Sequence, residues 1–374
     1  MSGTQTTTMS RYGLEHGSPD LRSVGAIAFG PEGVLFAADN VAATIFAFDV
    51  SSALPAGAGV PGDVDGLDAR LATLLGCAPE DVHVRDLAVE PGSGAVVLSI
   101  LRGEGAAAVP VLVTVGADGE LADVALDDLP FAALPIADAP AEDDERLDVR
   151  VVAPGEPEGE TMEIRGITLR VTREPLRTTT VTDMSYVDGT LLVAGASNEE
   201  FASSLRRIPF PFDGTTETTP LEIFHVSHGK YETHSPIRTF VPYGAGGSIL
   251  ASYTCTPVVQ FPLAALTGDA TAARGRTVAE LGPMNTPLDM TSYTRDGAEH
   301  LLVANSRHPL LKLAVSDLEA QEGLTEPQQP VGAPREELPH AGVLLVGGAG
   351  EQVLMVQRAD DGALSLRSYA ADAL

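Results

Sequence analysis

The chain has 374 residues, 44% of them hydrophobic, which is ample for a buried core and excludes wholesale disorder. Its formal net charge of −29 repels nucleic acid and anionic membrane surfaces, so neither is an expected partner. Two cysteines are too few for a disulfide framework, and no apolar run approaches bilayer-spanning length, so membrane insertion is not expected either.

Residues 1–22 read as a polar N-terminal arm and 23–374 as a single repeat-built domain. The arm, MSGTQTTTMSRYGLEHGSPD onward, lacks the apolar core of a signal peptide and places the chain in the cytoplasm as written. A processed or truncated exported protein would read the same way. Next comes VGAIAFGPEGVLFAADNVAATIFAFDV (24–50), three alternating apolar runs broken at Pro31–Gly33, which predicts a three-strand meander.

The pattern returns from Val84 (VRDLAVEPGSGAVVLSI), Val181 (VTDMSYVDGTLLVAGASN), Ile237 (IRTFVPYGAGGSILASYT), Leu288 (LDMTSYTRDGAEHLLVANS) and Ala341 (AGVLLVGGAGEQVLMVQR). A third strand follows in VPVLVTV, LRRIPFPF, PVVQFPL, LLKLAVS and LSLRSYA. The starts at 24, 84, 181, 237, 288 and 341 leave four of five gaps between 51 and 60 residues, a period that signals repeated small sheets. Such a sheet cannot bury both faces alone, whereas radial stacking buries them against neighbours and leaves only short edges. The expected fold is therefore an all-β propeller. Closure predicts residues 24–50 and 341–370 as neighbours, because that arrangement hides the terminal strand edges.

Two segments break the period. Residues 63–80 carry Leu67, Leu71 and Leu75 at helical spacing before Pro79, predicting a short helical insert near 66–76, with Cys77 an inert buried thiol. Residues 130–178 hold an acidic, Pro-rich run and then EIRGITLRVTREPLRTTT, predicting a hairpin insert. Because that stretch lacks the inner-strand pair, six blades with an insert are favoured over seven.

In a propeller the first strand of each blade lines the channel, and the loops entering it and following the second strand open on one face. The entering positions are Asp86, Asp183 and Asp289, with His234 and His340 in the corresponding loops. After the second strands come Asn40, Asn198, Glu199, Cys255, Asn305, Arg307 and His308. Carboxylates suit hard cations such as calcium, while imidazole and thiolate suit zinc or copper. The aspartates could equally hold the backbone by accepting N–H bonds, and the asparagines could be turn residues.

HVSHGKYETHSPIRTFVPYGAGGSILASYTCTP (225–257) concentrates three His, one of the chain's two Lys, and Cys255. His225 ends an outer strand, His228 lies in a loop, and His234 stands directly before an inner strand, so His234 is expected to reach the mouth. His234-Ser235-Pro236 should enter stiffly, and His234 is expected to approach Cys255, His308 or His340 across the mouth. Cys255 is open to a soft-metal, nucleophilic or core role.

No Gly-x-Ser-x-Gly elbow, phosphate loop or dinucleotide fingerprint is present, so no nucleotide cofactor is expected. The absence of Trp argues against a quinone cofactor and against WD40 repeats. Units such as VRDLAVEPGSGAVVLSI and LDMTSYTRDGAEHLLVANS resemble blades of the bacterial NHL, YVTN and SMP-30-like propeller superfamily over most of 24–370. That resemblance implies relatives among calcium-dependent lactonases, lyases and non-catalytic interaction propellers. The lactonase type holds its metal with a Glu, two Asn and an Asp, which Asn198, Asn305 and Asp289 or Asp183 match by type. The early Glu has no counterpart in VGAIAFGP.

Three functions follow as expectations. The first is metal-assisted hydrolysis of a small ester or lactone, with catalytic His234, Asp183 and Asp289. Its divalent ion would be held among Asp86, Asp183, Asp289, Asn198, Asn305, His234, His308, His340 and Cys255. The second is a non-catalytic propeller that binds a protein or small molecule. The third is a copper or zinc oxidoreductase built on the His cluster.

Overall fold

The computed structural model describes residues 11–374 apart from 58, 153–158, 165, 245, 256, 269–270, 283 and 328–330; residues 1–10 of the predicted arm lie outside the described residues. Six sheets, antiparallel but for the short parallel pairing of Leu221–Glu222 with Ala273–Arg274, hold one inner strand each: Ile27–Phe29, Val82–Val89, Asp183–Val187, Thr239–Tyr243, Pro287–Arg295 and Val343–Ala349. Numbered in that order as blades 1 to 6, the inner strands touch in a closed ring. The fold is a β-propeller.

The alternation seen in the sequence explains why the ring closes. Along Val96–Arg102 of blade 2, Val96, Leu98 and Ile100 pack toward blade 6 with Leu345, Leu354 and Val356. Val97 points the other way, toward Leu35 and Phe48 of blade 1. In blade 1, Val34, Phe36 and Ala38 face Met184 and Leu191 of blade 3, while Leu35 and Ala37 face blade 2. Period-2 strands with both faces apolar can be satisfied only between two neighbours.

Around the axis the blades run 1, 3, 4, 5, 6, 2 and back to 1. Residues 24–50 and 341–370 are therefore not neighbours as expected; blade 2 stands between them. After Thr44–Asp49 the chain leaves blade 1, builds blade 2, and returns to blade 1 with Leu129–Pro135, which pairs with Thr44–Asp49. The predicted insert from 130 thus begins later, because 129–135 is a blade strand. Outside it, Glu15–Gly17 pairs with Leu129–Phe131, and Leu14 is buried, so this part of the arm is docked on blade 1.

The departing segment also seals blade 6. Val64 exchanges backbone hydrogen bonds with Leu366, at 2.9 and 3.0 Å. The helix Leu67–Leu75 then buries Leu67 and Leu71 against blades 2 and 6, and Gly76 in the left-handed region ends it. At the ring's inner face, a Cβ on Gly347 would meet Leu87 Cδ2 at 2.5 Å and Val89 Cγ2 at 3.3 Å, so a larger residue there would force the Leu87 side chain to move.

The insert is a separate three-stranded sheet, with Ile167–Pro175 between Leu147–Val151 and Glu160–Ile164. It buries Val151, Leu169 and Val171 and packs on Met284. Val151 N–H donates to Thr286 Oγ1 at 3.0 Å, and Asp148 pairs with Arg238 of blade 4. The insert therefore stands over one end of the channel.

The seam between blades 2 and 6 closes the ring. Leu366→Ala, at a fully buried position of that seam, should cost about 2–5 kcal/mol in urea unfolding. A loss below about 1 kcal/mol would contradict this account of closure.

Candidate functional site

Asp86, Asp183 and Asp289 stand on the inner strands of blades 2, 3 and 5 and line the waist of the channel. Each carboxylate accepts two backbone N–H bonds. One comes from the following residue: Leu87, Met184 or Met290, all at 2.7 Å. The other crosses to the next blade: Asp86 to Ile27, Asp183 to Phe240 and Asp289 to Val346, again at 2.7 Å. The ties join blades 2 and 1, 3 and 4, and 5 and 6, so every blade is used once.

The blades crowd these groups, although each residue as a whole is only partly buried. Burial pushes Asp86 up to about 8, with repulsion from Asp183 adding to it. Burial raises Asp183 to about 6. Asp289 is held well above the usual carboxylate range by burial and by the charges of Asp86 and Asp183. Their oxygens interact at a distance but are not gathered within 4.8 Å of one another.

Above the waist lies the mouth, a cavity of about 230 Å³ to which all six blades and the insert contribute. Arg85, Arg150, Arg238 and Arg358 converge there in a chain whose net charge is −29. Arg238, 8% exposed, is paired with Asp148 and donates to Thr254 Oγ1 at 2.9 Å. Arg150 bonds Glu174 at 3.1 Å. Arg85 is exposed, and its guanidinium has no partner among the described residues; Arg358 has none either, and its Nε is buried. Two cationic groups therefore face the cavity uncompensated. Arg85, Arg150 and Arg358 also border a second cavity of about 300 Å³ between blades 2 and 6, lined by Val82, Leu101, Leu344 and Val356.

The other predicted residues are dispersed. His234 is exposed, with Thr233 Oγ1 at 3.5 Å as its ring's hydrogen-bonding partner, and it does not line the mouth. His308 and His340 do not line it either. His308 is half-buried in blade 5, and burial lowers its pKa, with Arg307 adding to the shift. The His340 ring lies 4.7 Å from that of Tyr369, and burial lowers its pKa too. Asn198 is on an exposed loop, whereas Asn305 is buried and accepts from Asn285 Nδ2 at 2.8 Å. Asn40 lines the mouth, but its amide is spent on Thr178 and Val181 backbone groups.

Cys255 is brought instead to His225 and His228. Ligand atoms of these three lie within 4.8 Å of one another, the one such group of three or more His, Cys, Asp or Glu among the described residues. Burial raises the pKa of Cys255. Nearby, burial pushes Glu280 up to about 8, while for Glu232 hydrogen bonds from His225 and His228 outweigh burial and bring it down to about 2.

Sequence reasoning missed the arginines. Arg85 in VRD and Arg238 in IRT occupy the same repeat position, directly before the channel-facing residue, and that recurrence was the available signal.

The fold and the mouth together define an acidic β-propeller with a cationic channel entrance. No family model matches the chain, and no curated relative matches it. Among solved structures it is similar to the PQQ-bound aldose sugar dehydrogenase from Streptomyces coelicolor, at 12% identity over 95% of this chain and 97% of that one, with a TM-score of 0.35. It is also similar to the Cps50 (Swd1) β-propeller domain of Myceliophteria thermophila, at 9% identity over 93% and 83%, with a TM-score of 0.38. A third is the extracellular domain of BT4673 from B. thetaiotaomicron, at 11% identity and a TM-score of 0.33; 92% of this chain is covered but it spans only 33% of that one. No described helix is long and apolar enough to cross a membrane.

The waist carboxyls carry a pH signature. Because Asp86 and Asp183 rise from 3.8 to about 8 and about 6, the folded chain holds more protons than the unfolded chain between those limits. Their contribution to stability is fully present below 3.8 and is lost as pH rises through the folded values. The melting temperature should fall from about pH 5.5 to about pH 8.5, and Asp86→Asn should flatten that slope. An identical slope in the variant would contradict the assignment.

Proposed function

We propose that this propeller binds a small organic anion, with the anionic group at the mouth and an apolar body in the cleft between blades 2 and 6. The observation that carries the reading is the pair of unpartnered guanidinium groups, Arg85 and Arg358, at the junction of the two cavities. Guanidinium forks match carboxylate and phosphate oxygens, and a cleft that narrows solvent strengthens the attraction. Leu344, Leu345 and Val356 beside them favour an aliphatic over a highly polar ligand.

This takes the ligand-binding alternative ahead of metal-assisted hydrolysis of an ester or lactone. No imidazole lines the mouth cavity among the described residues, His83 borders only the cleft, and the three waist aspartates are each committed to two backbone N–H groups. A carboxylate product of hydrolysis would share the same recognition chemistry, so the resemblance to lactonase-bearing propellers agrees with the class of ligand. A protein partner is the less supported reading, because the charged groups converge in a cavity rather than on an open face.

Calorimetric titration with sodium octanoate tests this, with 1-octanol as the neutral counterpart. Octanoate should bind saturably and octanol much more weakly, and the double variant Arg85→Gln/Arg358→Gln should weaken octanoate by about tenfold or more. Equal affinity for octanol, unchanged affinity in the double variant, or no binding of octanoate would overturn the proposal.

A further inference from the structure

The second chemical centre lies away from the mouth, between the outer strands of blades 3 and 4. Glu217–His225 ends blade 3, and its chain turns back through Gly229, at φ +65°, into Lys230–Glu232. In that hairpin His225 pairs with Lys230 and Ile223 with Glu232, which puts the His225 and Glu232 side chains on one face. Glu232 then holds two imidazoles at once. Its Oε2 is 2.8 Å from His225 Nδ1, and its Oε1 is 2.7 Å from His228 Nδ1. With both Nδ1 atoms taken by one carboxylate, the nitrogens left to act as donors are the two Nε2 atoms. The rings lie 4.0 Å apart between centroids.

Cys255 reaches this pair from blade 4, after the strand Ser248–Ser252. Its backbone sits at φ +64°, a region costly for a residue with a side chain, and its N–H donates to Asn285 O at 2.7 Å. A fourth group belongs to the end of Arg276–Glu280. Glu280 is fully buried; Ser227 and the Val226 backbone N–H lie against its carboxyl group, but neither completes a well-formed hydrogen bond to its oxygens. Its Oε1 lies 3.7 Å from His225 Nε2, which is likewise buried at 3% exposure and likewise without a hydrogen bond.

A buried carboxyl group and a buried imidazole nitrogen that face each other at that distance without bonding leave polar atoms under-satisfied, and a cation between them would satisfy both. Zinc bonds of about 2.0–2.3 Å to nitrogen and sulfur require donors roughly 3.3–3.8 Å apart in a tetrahedron, and modest side-chain shifts bring a group within 4.8 Å to that size. Two imidazoles and a thiolate select a late first-row ion over calcium or magnesium. A carboxylate orienting the distal nitrogen of each ligating His is the common outer-shell arrangement of zinc sites.

We propose that His225 Nε2, His228 Nε2 and Cys255 Sγ bind one divalent zinc-type ion, oriented by Glu232 and charge-balanced by the Cys255 thiolate and Glu280. The site tethers blade 3 to blade 4 outside their sheets, independently of the mouth and of any ligand there.

The full chain, stripped with a chelator and reloaded with Zn²⁺ or Co²⁺, tests the site. About one ion per chain should survive gel filtration, and the cobalt form should show a thiolate-to-metal charge-transfer band. Cys255→Ser should abolish that band while Cys77→Ser leaves it in place. His228→Ala, at an exposed position whose loss spares the fold, should strip retained metal, and Glu232→Gln should weaken affinity about 10- to 100-fold. Binding of copper at the same residues, lost in the same variants, would support the site. No retained zinc, cobalt or copper in the wild-type chain, or retention unchanged by Cys255→Ser and His228→Ala, would overturn it.

Discussion

The structure depends on a carboxylate in one blade accepting a backbone N–H from the next. An inner strand of a propeller has one edge facing the channel, and its N–H groups there have no strand to pair with. Asp86, Asp183 and Asp289 solve this for three blades that have no such side chain of their own, at Ile27, Phe240 and Val346. Three ties reach all six blades, joining their inner strands as three adjacent pairs, 2 with 1, 3 with 4 and 5 with 6, while apolar packing closes the seams between the pairs. The cost is the placing of three acids in one narrow channel. Burial, with charge repulsion adding to it at Asp86 and Asp289, raises their pKa values, so the waist carries less negative charge than its composition implies.

That reduced charge bears on what lies above. A fully ionised trio would oppose an anion at the mouth, whereas a partly neutral one lets Arg85 and Arg358 set the local field. The insert supplies the opposite adjustment. Asp148 and Glu174 engage Arg238 and Arg150, leaving two arginines available and two committed. The nested blade 2 also matters, because its seam with blade 6 is where the apolar cleft opens. An irregularity in blade order thus coincides with the apolar cleft.

Much of the fold was legible because burial on both faces forces a period-2 apolar pattern, as in VLFAAD and VVLSILR, and because the repeat spacing exposes the blades. The helix at Leu67–Leu75 was legible from its leucine spacing. What was not legible was pairing between distant edges. LPFAALP at 129–135 reads as an ordinary apolar run, and nothing in it says that its partner is Thr44–Asp49 rather than the next segment. Of the sites, the aspartates could be found from their equivalent positions, but their backbone partners have no side-chain signature. His225 ends an outer strand, a position from which the sequence alone gives no reason to expect a site. The hairpin that carries Glu232 back to it, and the approach of Cys255 from the neighbouring blade, are tertiary facts that the His spacing does not encode.

The most direct measurement of the central claim is the crystal structure of the chain with octanoate bound. The account predicts carboxylate density between the guanidinium groups of Arg85 and Arg358, with the aliphatic chain running toward Leu344 and Val356. Octanoate seated at any other part of the surface, with the mouth holding only water, would contradict it.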